Sequence, residues 1–197
     1  MTDRAALTRN TQHATLVSLR GIFIISELTG PLAERIRAIQ ERFDPKMARL
    51  TPPHVTIAGS SGTGVIEPRT TVAELRAALD PIVATTPPLT LHFGPPTRFM
   101  QTNIVSLPLD PHGPLRALHE RIAASGLRFE RARFAFTPHC TLSFYPTLTP
   151  ARLRELLSIR ISEPVVLDRI EAYYTANPQP ARKLYEGMLA GNRQSGE

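Results

Sequence analysis

The chain has a single cysteine, only two lysines and no long apolar run. With Cys140 alone there is no intrachain disulfide and no cysteine cluster for a structural zinc site. No stretch approaches the length of a membrane span, and the N-terminus lacks the basic-then-apolar pattern of a secretory signal. These absences predict a soluble cytoplasmic protein with no membrane partner. Lys46 and Lys183 are the only lysines among 23 basic residues, so the formal net charge of +6 is carried by arginine. The planar guanidinium fork suits phosphate, and a basic surface suits polyanions. Residues 59–64, Gly-Ser-Ser-Gly-Thr-Gly, lack the lysine and following hydroxyl of a P-loop and the spacing of a dinucleotide fingerprint. They read as a flexible loop.

At 197 residues the chain can bury a core of its own, and one compact unit is expected. Residues 1–19 are polar and without period, which predicts a flexible arm, and residues 190–197 read as a tail. Between them, residues 20–189 form one domain. A β-branched run at 21–25 predicts a strand. Thr29-Gly30-Pro31 then opens a helix with Leu32, Ile36 and Ile39 on one face, which Asp44-Pro45 stops. Further helices are expected at 71–83, 113–124 and 150–159, and strands at 53–59, 89–93, 103–109, 139–145, 165–175 and 184–189. The strands at 89–93 and 103–109 are close enough in sequence to pair antiparallel. Helices interspersed with strands in this order give an α+β pattern, not a regular parallel sheet.

Two stretches stand apart. Thr51-Pro52-Pro53-His54-Val55-Thr56-Ile57 and Phe136-Thr137-Pro138-His139-Cys140-Thr141-Leu142 each place a proline-terminated loop before a strand that opens His-x-Thr-aliphatic. Along an extended strand successive side chains alternate between faces. His54 therefore shares a face with Thr56, and His139 with Thr141, while Val55, Ile57, Cys140 and Leu142 turn to the core. That alternation makes Cys140 a buried small hydrophobe, not a nucleophile. His13-Ala14-Thr15-Leu16 has the same pattern without the proline or the strand context and reads as coincidence. His92, His112 and His119 have no partner motif, so surface or core packing is their expected role. One motif per half also reads as an internal duplication.

The paired motifs resemble those of the two-histidine phosphoesterase superfamily, also called the RNA 2′,3′-cyclic phosphodiesterase or 2′-5′ RNA ligase family. The resemblance implies a bilobal, pseudo-twofold fold, with two antiparallel sheets around a central cleft and helices outside. It implies metal-independent chemistry at a phosphodiester; no cofactor and a monomeric state are the accompanying expectations. His54 and His139 would be its catalytic acid–base pair, and Thr56 and Thr141 its phosphate-binding hydroxyls. An unperturbed imidazole titrates near neutrality, which suits that work. Tyr145 is a candidate base-stacking residue, and Arg131 and Arg133 are candidate RNA contacts. The substrate so implied is an RNA end or nucleotide carrying a 2′,3′-cyclic phosphate, opened to a 2′-phosphate. Alternatives are a 2′-5′ RNA ligase, a phosphodiesterase for a small metabolite, or an RNA- or nucleotide-binding module without turnover.

Overall fold

The computed structural model describes residues 20–99, 102, 104–145, 148–176 and 181–190. The N-terminal arm with His13 and most of the C-terminal tail lie outside them. In chain order the elements are β1 (Gly21–Glu27), α1 (Gly30–Phe43), α2 (Pro45–Leu50), β2 (His54–Ala58), α3 (Val72–Ala84), β3 (Leu89–Leu91) and β4 (Thr97–Arg98). They continue with β5 (Val105–Pro108), α4 (Gly113–Ala123), β6 (His139–Ser143), α5 (Pro150–Ser158), β7 (Val165–Leu167), β8 (Arg169–Thr175) and β9 (Arg182–Met188). The sheets are antiparallel: a four-stranded sheet in the order β2-β1-β8-β9, a three-stranded one in the order β4-β5-β6, and a small β3-β7 pair.

The halves repeat one plan. Helices α1 and α4 both start at a Gly-Pro step, Gly30-Pro31 and Gly113-Pro114, whose glycines hold φ of 66° and 64°. The left-handed turn is cheap only for glycine, and proline's fixed φ suits the first helical position. In each half the strand before that helix pairs with the His-x-Thr strand after it. Glu27 lies opposite His54, and Pro108 opposite His139. Both pairs slip register at the same place, between Ile24↔Ala58 and Ile25↔Thr56, and between Val105↔Ser143 and Ser106↔Thr141. The extra residues, Ile57 and Leu142, are β-bulges. They explain why alternation stops after each threonine, where Ile57-Ala58 and Leu142-Ser143 are consecutive buried pairs. One buried apolar cluster draws on both larger sheets and their helices, including Ile24, Val55 and Ile57 from one half and Leu107, Cys140 and Leu142 from the other.

Several expectations need correction. Asp44-Pro45 stops α1 but also starts α2: Asp44 accepts the Met47 N–H as its cap, and Pro45 occupies the first turn. β3 pairs with β7, not with β5, and a backbone bond beyond its end, Gly94 N–H to the Pro108 carbonyl at 2.8 Å, links that segment to β5. The expected strand 165–175 is two strands in different sheets. The chain changes sheet at Asp168, whose carbonyl accepts the Leu189 N–H at 2.8 Å. β4 is a two-residue strand below what periodicity can detect, and β6 ends at Ser143 instead of Tyr145. The 59–64 loop is pinned, not free: Gly62 and Gly64 donate to the Phe134 and Glu130 carbonyls at 2.9 and 3.0 Å.

Candidate functional site

The two motif strands are edge strands of their own sheets, and they lie side by side. Their burial patterns are identical, with His54, Thr56, His139 and Thr141 half-buried and the residues between them enclosed. The entries match too. Leu28 N–H donates to the Pro53 carbonyl and Leu109 N–H to the Pro138 carbonyl, each at 2.9 Å. A proline restricts the residue before it to extended backbone, and the carbonyls of Pro52 and Thr137 are turned onto the imidazoles. His54 Nδ1 lies 2.7 Å from the Pro52 oxygen and His139 Nδ1 2.8 Å from the Thr137 oxygen. A carbonyl can only accept, so Nδ1 carries the proton in both rings. Each Nε2 is then left as the working nitrogen, a base when neutral and an acid when protonated.

Burial lowers the proton affinity of both histidines, since a charged imidazolium loses hydration there. For His54 the Pro52 carbonyl opposes this, the charge of nearby His139 adds to it, and the Glu27 carboxylate opposes it. For His139 the Thr137 carbonyl is the opposing influence. Cys140 is fully buried, and burial pushes its thiol up to about 12, so it is no nucleophile at neutral pH.

Each half's first helix reaches across to hold the other half's motif strand. Gln40 of α1 donates Nε2–H to the Thr141 carbonyl at 2.8 Å, and His119 of α4 donates Nδ1–H to the Ile57 carbonyl at 2.7 Å. His119 is buried and stacked on Phe136 with centroids 4.0 Å apart, so its packing role is the one expected. Gly62 makes room for it: a Cβ there would come within 2.3 Å of His119 Nε2, and its φ is +74°. Asp44, fully buried, also accepts the Phe144 and Tyr145 N–H groups at 2.7 and 2.8 Å, which fixes the exit of β6. Ser61 accepts the Thr137 N–H at 3.0 Å and fixes its entry.

The four motif residues are thus brought onto adjacent strands. Tyr145 lies beyond the end of β6, under the Lys46 ammonium at 4.0 Å from its ring centre. Arg131 and Arg133 are exposed on the segment leading to Phe136, and no hydrogen bond or ring contact among the described residues ties them to either histidine. Phe99 was not singled out from the sequence, yet its ring meets His139 edge-on at 5.1 Å. Only the β4–β5 hairpin brings it there. Gln40, Asp44 and Ser61 likewise escape a motif search, because each acts through a backbone group distant in sequence.

A duplicated unit of helices and antiparallel strands, joined along paired histidine strands, is the fold class of two-histidine phosphoesterases. The chain belongs to the 2′-5′ RNA ligase superfamily, whose family model matches residues 29–177. Among solved structures, TT0787 of Thermus thermophilus superposes with a TM-score of 0.61 at 13% identity, covering 87% of this chain and 98% of its own. E. coli LigT complexed with phosphate gives 0.52 at 13% identity, with 86% and 96% covered. LigT complexed with 3′-AMP gives 0.50 at 16% identity, with 86% and 98% covered. At these identities the likeness is one of fold. No curated protein matches the sequence.

Proposed function

We propose that the protein hydrolyses 2′,3′-cyclic phosphates at RNA ends or on nucleotides, leaving 2′-phosphates, with His54 and His139 as the acid–base pair. The observation that carries this reading is the matched presentation of the two imidazoles. Both are held at Nδ1 by the carbonyl two residues earlier, both sit on adjacent edge strands, and both leave Nε2 for substrate. One Nε2 takes a proton from water as the water oxygen bonds to phosphorus. The other gives a proton to the ribose 3′-oxygen as the P–O3′ bond breaks. Thr56 and Thr141 donate hydrogen bonds to the non-bridging oxygens, where negative charge grows. Within the same fold, E. coli LigT has been crystallised with phosphate and with 3′-AMP.

The family description favours a second reading, in which the 5′-hydroxyl of another RNA replaces water and a 2′-5′ linkage results. One incubation separates the two: an RNA ending in a 2′,3′-cyclic phosphate, with and without a 5′-hydroxyl acceptor, followed by product analysis. The expected product is a 2′-phosphate end, formed equally well with chelator present. His54→Ala and His139→Ala should each reduce turnover by about 10²–10⁴-fold while keeping a native fold. Normal turnover by both variants would exclude the reading.

A further inference from the structure

The internal duplication makes the halves comparable position by position, and the comparison exposes a difference in charge. In the ladder opposite the histidines, Glu27 faces His54 where Pro108 faces His139. One strand further, Glu171 and Tyr173 of β8 take the places that Thr97 and Phe99 hold in the other half, through the pairs Ile25↔Glu171, Phe23↔Tyr173 and Ser106↔Thr97, and the Phe99 N–H to Ile104 carbonyl bond. Directly opposed residues share a face with Cβ atoms about 4.5–5.5 Å apart. The His54 face therefore carries two carboxylates, and the His139 face has none at the matching positions.

Glu27 is also held in place. The Tyr173 hydroxyl donates to its Oε1, and its backbone N–H donates to Glu171 Oε2 at 2.9 Å. Glu171 is buried and receives the Lys183 ammonium at 3.3 Å, which Glu186 shares at 2.8 Å. Lys183 is thereby occupied with two carboxylates. A carboxylate secured at Oε1 and aligned across the ladder can act on His54 without reaching substrate.

We infer that Glu27 is a positioning residue that sets the proton affinity of His54 selectively, so that the two histidines of the duplicated site are not interchangeable. The groups facing His54 are Glu27 from β1 and His139 from β6, with Tyr173 and Glu171 of β8 and Lys183 of β9 behind Glu27. On the α4 side, His119 reaches the strand at the Ile57 carbonyl. Glu27 is thus the one carboxylate in the ladder position facing His54. Its charge favours the His54 imidazolium and opposes the effect of burial.

The consequence for catalysis rests on the proposed role of the pair, but the test does not require turnover. Glu27→Gln keeps an acceptor for Tyr173 and removes the charge. NMR titration of the imidazoles in the full chain should show the His54 midpoint lowered further, with a smaller imidazolium population at a given pH. His139 should move much less, Glu27→Asp should recover most of the shift, and Tyr173→Phe should give a smaller shift of the same sign. With a cyclic nucleotide as substrate, one limb of the kcat/KM profile should move down with His54. Movement of the acidic limb makes His54 the base in hydrolysis, and movement of the basic limb makes it the acid. An unmoved His54 midpoint in Glu27→Gln, or an equal movement of His139, would overturn the inference. If the chain turns over no cyclic phosphate, the titration still decides it.

Discussion

At the scale of the residue, identity in sequence does not mean identity in environment. His54 and His139 share the preceding proline, the threonine two residues on and the same Nδ1 bond to a carbonyl, yet Glu27 stands opposite one and Pro108 opposite the other. Thr56 and Thr141 are placed alike, half-buried and on the face of their histidines. If each supplies a hydrogen bond to a non-bridging oxygen as charge develops, Thr56→Ala and Thr141→Ala should each lower kcat by about 10²-fold with little change in stability. Steady-state kinetics on a cyclic nucleotide would check this, and a larger effect on KM than on kcat would assign the hydroxyls to ground-state binding. These four residues were legible because proline, histidine and threonine recur at fixed spacing. Phe99 was not, since its contact with His139 depends on a two-residue strand.

At the scale of the element, the motif strands are ordered by groups borrowed from elsewhere. An edge strand lacks a ladder partner on one side, and here side chains of Gln40 and His119 and the buried carboxylate of Asp44 take over part of that work. Asp44→Ala would leave the Met47, Phe144 and Tyr145 N–H groups without their shared acceptor. The expected cost is about 3 kcal/mol, read as a lowered urea midpoint. Gly62→Ala should cost more than about 1 kcal/mol, because it strains a positive φ and drives a methyl group into His119. Helices α1, α3, α4 and α5 were readable from their periodic apolar faces, and the structure adds the caps: the Thr71–Glu74 capping box of α3 and the Thr149 side chain that accepts the Arg152 N–H at the start of α5. α2 was hidden because Asp-Pro ends one helix as plausibly as it begins the next.

At the scale of the molecule, the two lowered histidines couple stability to pH. Both fall below the ordinary value of 6.5 because burial disfavours the cation. Below that value the unfolded chain binds more protons than the folded one. The stabilising contribution is therefore present above it and lost as pH falls toward the folded-state values. Urea midpoints should drop from about pH 7.5 to about pH 5.5, and the slope should be shallower in His54→Gln. A bound phosphate should act in the opposite sense. Its charge favours imidazolium, so binding should take up protons, detectable by calorimetry in buffers of different ionisation enthalpy.

By itself the sequence determined what local chemistry can specify. It set the α+β class, the helix starts, the side to which each motif residue points and the burial of Cys140, because periodicity, proline and glycine act over a few residues. It did not determine which strands pair. β3 found β7 and not the nearer β5, and the chain changed sheet at Asp168, because pairing is decided by which apolar faces can be buried together across the whole chain. Only the tertiary structure could place two edge strands side by side and set Gln40 and His119 across them. The contrast between Glu27 and Pro108 likewise appears only when the register of two ladders is known.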